Sequence, residues 1–160
     1  MTSRVGLGFD VHPFGGGGPL VLGGVTLDGP GLEGHSDADV IGHAVADALL
    51  GAAGLPDLGT LFPADDERYR GASSMNLLRA VADAVAAEGW RVENVDVVVA
   101  AERPPLAPHL ADMVASVEQA LEPLAPAAVA VKPKRAEGLG AVGRAEGIAA
   151  WAVALLYTVG

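Results

Sequence analysis

The sequence predicts an α/β domain of the α+β type, built around a mostly buried sheet. Three observations carry that expectation. Short apolar runs with strand character alternate with segments of helical period. No linker divides the chain into two cores and no repeat of supersecondary length recurs, so residues 1–160 read as a single domain. Hydrophobic residues make up 51% of the chain but aromatic ones only 4%, so aliphatic side chains and alanine must fill the core.

Taken in order, Arg4–Phe9 is an apolar run bounded by glycines and reads as a strand. Pro19–Leu27, "PLVLGGVTL", reads as a small hairpin turning at Gly23-Gly24. Ser36–Gly54 has the signals of a helix: Ser36 or Asp37 as cap, acids in the first turn, Gly54 as stop. Val40, Ala44, Leu49 and Ala52 form its apolar stripe. A second helix is expected from about Ser73 to Glu88, with Ser73 as cap, and a third over Pro108–Leu121. Buried strands are expected within Val92–Pro104 and over Ala127–Lys132. The apolar run from Ile148 fits helix or strand equally by periodicity.

Charge and composition exclude several functions. A formal net charge of −10 disfavours nucleic acid and anionic lipid as partners. The absence of cysteine rules out disulfides, thiolate metal sites and thiol catalysis. "MTSRVGLGF" lacks the apolar core of a secretory leader, and Ile148–Val159 is too short to span a bilayer. The expectation is a soluble, cytoplasmic protein with no membrane partner.

Chemistry concentrates in three stretches. In "GFDVHPF" a strand would place Asp10 and His12 on one face, roughly 6–7 Å apart. His43, mid-helix, is the best third member, because one carboxylate and two imidazoles leave a zinc position open. Asp39 and Asp47 lie four residues either side of His43, and either could orient its ring. In "EGHSDAD", His35, Ser36 and Asp37 at a helix start could hold an anion; plain capping accounts for Ser36 and Asp37 and leaves His35 unexplained. "VKPKRAEGLGAVGRAEG" concentrates Lys132, Lys134, Arg135 and Arg144, a phosphate site or a solvated basic loop, with Glu137 available to a hard cation. Gly138–Gly143 matches G-x-G-x-x-G, but no strand feeds directly into a helix there, so a dinucleotide fold is rejected.

At "GFDVHPF", "EGHSDADVIGHAVADALLGA", "LPDLGTLFP" and "GRAEGIAAWAVALL" the chain closely resembles the 2-C-methyl-D-erythritol 2,4-cyclodiphosphate synthases of the non-mevalonate isoprenoid pathway. The resemblance implies a mixed four-stranded sheet with helices on one face plus a small hairpin. It implies a homotrimer with sheets facing the threefold axis and active sites between subunits. Asp10, His12 and His43 would bind zinc, and Glu137 a second cation, magnesium or manganese. His35, Ser36 and Asp37 would contact the methylerythritol phosphate, Asp57 and Gly59 the ribose or sugar alcohol region. The loop Ala101–Leu106, with Ala101, Pro104, Pro105 and Leu106, would cradle cytosine. The implied reaction is attack of a 2-phosphate on the β-phosphorus of a cytidine diphosphate, releasing CMP and closing a cyclic diphosphate. That nucleophile is already an anion, so no Ser, Cys or His need be activated.

The chain departs from the family in two places. "K-P-K-R-A-E-G-L-G" stands where the family reads "K-A-T-T-T-E-K-L-G", so Lys134, Arg135 and Ala136 replace threonines expected at the diphosphate. Pro105 replaces a lysine in the cytosine loop. Members of the family often hold an isoprenoid diphosphate in a central cavity on the arginine matched by Arg144; a polar cluster of Arg144 with Glu146 is the alternative. Two other readings compete: a metal-dependent phosphohydrolase using the same ligands, and a non-catalytic trimer that binds isoprenoid diphosphates. In the leading reading Phe9 and Val11 face the core, Asp10 and His12 face the metal, and Gly15–Gly18 is slack beside the substrate.

Overall fold

The structure, a computed structural model, describes residues 1–125 and 128–159. In chain order its strands and helices are β1 (Ser3–Gly16), β2 (Leu20–Leu22), β3 (Val25–Leu27), β4 (Gly31–Leu32), α1 (Val40–Ala53), α2 (Leu58–Leu61), α3 (Ser74–Ala87), β5 (Trp90–Ala100), α4 (Leu110–Ala120), β6 (Ala128–Lys134), α5 (Gly140–Gly143) and β7 (Gly147–Thr158). Single 3₁₀ turns occur at Glu67–Tyr69, Ala107–His109 and Glu122–Leu124. No helix among the described residues is long and apolar enough to cross a membrane.

The sheet runs β4-β1-β7-β5-β6, with only β5 and β6 parallel, while β2 and β3 form the separate hairpin. The mixed sheet thus has five strands; the fifth is the two-residue β4, paired to the far end of β1. The parallel pair needs a crossover, and α4 supplies it. Helices α1, α3 and α4 cover one face. That face of the sheet is aliphatic: Val95, Val97 and Val99 of β5 and Ile148, Ala150, Ala152 and Ala154 of β7 are buried.

The tightest contact in this core is between α1 and β1. A Cβ added to Gly6 would collide with the carbonyl oxygen of Ala48, and one added to Gly8 with that of Ala44. Two bare strand positions against a helix face of alanines let the backbones touch, which no larger residue permits. α1 is consequently buried almost all round, with the sheet on one side and α3 on the other.

Several expected boundaries move. β1 extends well past Phe9 to Gly16, so Gly15 and Gly16 belong to a strand rather than to slack chain. α1 starts at Val40, not Ser36, because its cap is Asp39. The Asp39 carboxylate is fully buried and accepts from Ile41 N–H, Gly42 N–H, Gly23 N–H, Gly24 N–H and the Ser74 hydroxyl. One side chain therefore ties α1, the hairpin turn and α3 together. Gly23 and Gly24, at φ +56° and +73°, make the tight turn that presents both donors. The ambiguous segment from Ile148 is strand, the centre of the sheet.

Phe9 and Val11 correct an expectation outright. They point away from the helices, on a face they share with Val5, Leu7, Trp151 and Val153, and all six are exposed. Strand alternation places Gly6, Gly8, Asp10 and His12 together on the helix side instead.

The close approach makes a direct prediction. Gly8→Ala should cost about 1–3 kcal/mol through overpacking, read as a lower midpoint of thermal unfolding. Gly51→Ala, on the open side of the same helix, should leave that midpoint unchanged or raise it.

Candidate metal centre and anion site

Because β1 and α1 run past each other in contact, the strand residues beyond Gly8 meet the first turn of the helix. His43 Nδ1 lies 3.0 Å from Asp10 Oδ2, and His12 Nε2 lies 3.2 Å from the same oxygen. Ligand atoms of Asp10, His12 and His43 all fall within 4.8 Å of one another, the one such group of acids and histidines among the described residues. The spacing and the donor set fit a divalent ion.

Each imidazole is oriented by a second bond. His12 Nδ1 donates to the Glu33 carbonyl at 2.6 Å, which orients the ring and aims Nε2 into the cluster: the neutral ring offers a lone pair to a metal there, and the protonated, metal-free ring donates Nε2–H to Asp10. In the tautomer that turns the His43 Nδ1 lone pair into the cluster, Nε2–H donates to Ser36 Oγ at 3.1 Å. The orienting partner of His43 is thus Ser36, and neither acid expected from helical spacing. Asp39 is committed to capping, and Asp47 accepts the Leu58 N–H at 2.8 Å, anchoring α2.

Burial alone would raise the Asp10 pKa, but hydrogen bonds from His12 and His43 reverse that and lower it to about 2. The hydrogen bond to Asp10 raises His12 above its ordinary 6.5, against the opposing effect of burial.

A cavity of about 240 Å³ opens beside the cluster, lined by His12, His35, Ser36, His43, Leu58, Gly59, Phe62, Ala64, Tyr69 and Leu77. The structure therefore brings His35, Ser36 and Gly59 to the metal cluster. His35 Nε2 is buried and, among the described residues, has no hydrogen-bond partner. Asp57 caps α2 through the Thr60 N–H and hydroxyl, and the Thr60 hydroxyl is the main cause of its lowered pKa. Asp37 is taken up structurally: its carboxylate accepts from Ser74 N–H at 2.7 Å and Asp39 N–H at 3.2 Å. The wall formed by Phe62 and Tyr69, edge to face at 5.1 Å, escaped the sequence reading. Two of the chain's few aromatic residues flanking a polar loop were its available signal.

A second cavity of about 250 Å³ is lined by Ala101, Glu102, Pro104, Pro105, Leu106, Ala107, Pro133, Lys134 and Arg135. It brings the Ala101–Leu106 loop together with Lys134 and Arg135. Val99 and Ala100 pair through β7 with the rows that hold Asp10 and Val11, so both cavities lie at the same end of the sheet. β1 and β5 are two strand spacings apart, roughly 10 Å.

Three expected residues stand elsewhere. Lys132 lies on the outward sheet face and pairs with Asp96 at 2.6 Å, outside either cavity. Arg144 pairs with Glu146 at 2.6 Å on an exposed turn. Glu137, exposed and at φ +54°, belongs to no group of three or more acids and histidines that could hold a metal among the described residues. Glu102, which holds Arg135, is a further site residue that the sequence reading did not single out.

Comparison with known proteins bears on all of this. The model of the YgbB family matches residues 3–157. The chain is 55% identical over 151 residues to the bifunctional enzyme IspD/IspF of Anaeromyxobacter dehalogenans, covering 94% of this chain and 39% of that one. The chain thus spans about two fifths of the length of such bifunctional relatives. It is 52% identical over 158 residues to the 2-C-methyl-D-erythritol 2,4-cyclodiphosphate synthase of Pelotomaculum thermopropionicum, covering 98% of this chain and 97% of that one. Among solved structures it resembles the CDP complex of Plasmodium falciparum IspF, with a TM-score of 0.82 and 29% identity over 99% of this chain and 97% of that one.

The histidine environment is testable by proton NMR of metal-free protein. His12 should titrate with a midpoint above 6.5, and Asp10→Asn should lower that midpoint. In that metal-free state His12 contributes stability that is fully present below pH 6.5 and lost as pH rises through its raised pKa. Asp10 contributes stability present above its ordinary 3.8 and lost as pH falls through about 2.

Proposed function

The chain belongs to the YgbB family, and on that premise we propose that it is a 2-C-methyl-D-erythritol 2,4-cyclodiphosphate synthase, a lyase of non-mevalonate isoprenoid precursor synthesis acting in the cytoplasm. One observation carries the reading: an Asp10/His12/His43 cluster opens on a cavity into which His35 brings an unpartnered buried nitrogen. The substrate is 4-diphosphocytidyl-2-C-methyl-D-erythritol 2-phosphate. An oxygen of its 2-phosphate forms a bond to the β-phosphorus, the bond from that phosphorus to the bridging oxygen breaks, and CMP leaves with the electron pair.

The protein has charge to neutralise and groups to align, not a nucleophile to activate. Asp10, His12 and His43 would hold zinc, which when bound supplies positive charge to phosphate oxygens. His35 Nε2 is placed to donate to a phosphate oxygen, which would satisfy an atom the fold leaves unpaired. Ser36 orients His43, and Asp57 holds α2 so that Gly59 lines the cavity, where it would border the ribose or sugar alcohol part of the substrate. Ala101, Pro104, Pro105 and Leu106 would enclose cytosine. Lys134 and Arg135 would take over the diphosphate contacts that threonines make elsewhere in the family. Glu137 would bind magnesium or manganese with substrate phosphates as co-ligands, since magnesium commonly takes one carboxylate and keeps waters.

The outward face of Val5, Leu7, Phe9, Val11, Trp151 and Val153 supports a homotrimer, because so many large apolar side chains on one sheet face call for a partner. Neighbouring copies would then close each site. Arg144 is the residue for an isoprenoid diphosphate in the central cavity, once released from Glu146.

Incubated with this substrate, metal-loaded protein should release CMP and the cyclic diphosphate, and a chelator should abolish both. Phosphorus NMR showing a linear phosphate would favour a hydrolase instead, and absence of CMP would sink the cyclase. Zinc should bind at one per chain and be lost in Asp10→Ala. His35→Ala should lower kcat by about 10²-fold without shifting the thermal midpoint. Light scattering should return three times the chain mass, and Trp151→Asp should reduce it.

A further inference from the structure

One carboxylate joins the two loops that wall the second cavity. The parallel ladder of β5 and β6 ends at Ala100 and Lys134, and the Ala101 N–H extends it one step by donating to the Lys134 carbonyl at 2.9 Å. Past that point the Glu102 side chain spans the gap. Its Oε1 accepts from Arg135 Nη2 at 2.9 Å, and its Oε2 accepts from the Ala136 N–H at 3.1 Å. Glu102 is only 15% exposed, while Arg135 is 67% exposed. The turn that follows carries Glu137 and Gly138 at φ +54° and +77°. A glutamate in that left-handed region persists only where neighbouring contacts hold it.

We propose that Glu102 is a positioning residue for nucleotide diphosphate binding: it holds Arg135 and the 136–138 turn at the mouth of the second cavity, with guanidinium donors directed at the ligand's phosphates. The inference rests on the reading of that cavity as the cytidine diphosphate site. Arg135 spends one donor group on Glu102 and keeps others for phosphate oxygens. Pairing with a fixed carboxylate narrows the directions a flexible guanidinium can take, which favours a two-pronged phosphate contact. The Arg135 hydrogen bond also lowers the Glu102 pKa, so the brace stays ionised at neutral pH. A nearly neutral Arg135–Glu102 pair contributes direction, and Lys134 on the same cavity wall contributes net charge.

The test separates phosphate recognition from loop folding. CDP binding to the metal-loaded full chain is measured by calorimetry, and cytidine binding by NMR titration. Glu102→Ala should weaken CDP about tenfold while changing cytidine affinity less than about twofold. Glu102→Gln keeps an acceptor for the Ala136 N–H and should recover part of the loss. Equal losses for CDP and cytidine would make Glu102 a mere support of the base-binding loop and overturn the proposal, as would unchanged CDP binding. Should Glu102→Ala fail to fold, the exposed Arg135→Ala must show the same CDP-selective loss, and parent-like CDP binding there overturns the proposal. A parent chain that binds neither CDP nor cytidine overturns the functional reading, and this inference with it.

Discussion

Backbone contact between β1 and α1 is the constraint from which the rest of the site follows. Gly6 and Gly8 remove two side chains from the strand, and Ala44 and Ala48 present only methyl groups from the helix. Because the two elements run antiparallel, each step along β1 moves back along α1. Gly6 meets Ala48 and Ala52, Gly8 meets Ala44, and Asp10 then meets His43. Side chains at Gly6 and Gly8 would hold the helix off the strand and pull the Asp10 carboxylate and the His43 imidazole apart. Asp39 fixes the helix at the same end, with the hairpin turn and Ser74 bound to one buried carboxylate. The Asp10/His12/His43 group that could hold a metal is thus brought together by backbone packing, and its two rings are oriented by Glu33 and Ser36.

The second theme is charge. A chain of net charge −10 is an unpromising host for a polyanion. Most of its cations are already matched: Arg68 with Asp66, Arg70 with Glu67, Arg79 with Asp83 and Glu122, Lys132 with Asp96, Arg135 with Glu102, Arg144 with Glu146. Lys134 makes no ion pair among the described residues, and it stands on a cavity wall. On the proposed function, charge for phosphates would come from bound ions, from cations left outside these pairs such as Lys134, and from donors with fixed direction such as His35 Nε2. Fixed donors lose less by not reorganising as negative charge shifts during the reaction.

What the sequence revealed follows the range of its signals. Period-two alternation placed Asp10 and His12 on one face, and the hairpin was legible from two adjacent glycines. That residue 43 meets residue 10 was not legible in spacing, because it depends on how closely a helix can lie on two glycines; the family resemblance supplied it. Ser36 or Asp37 looked like the cap because both are good capping residues just ahead of the apolar run, whereas Asp39 wins by reaching donors from a hairpin fifteen residues upstream. Glu102 was invisible for the same reason: its partners, Arg135 and Ala136, come from another strand's end. Local signals set elements; long-range polar contacts set the site.

The misreading of Phe9 and Val11 has a physical cause that also explains the ambiguity of β7. The rule that apolar residues point to the core assumes a sheet with one wet face. Here β7 buries Ala150, Ala152 and Ala154 against helices and displays Trp151 and Val153 on the other side. A strand apolar on both faces loses its period-two signature and reads as a continuous run. β1 carries the consequence furthest. Phe9 packs on Trp151 with ring centroids 5.2 Å apart on the outward face, while Asp10 and His12, alternating with it, face the metal cluster. The outward apolar face and the candidate metal cluster therefore share one register. A one-residue slip of β1 against β7 would exchange the two sets, putting charge on the apolar face and Phe9 and Val11 in the metal site. The same alternation that specifies the cluster thus guards it against misregistration.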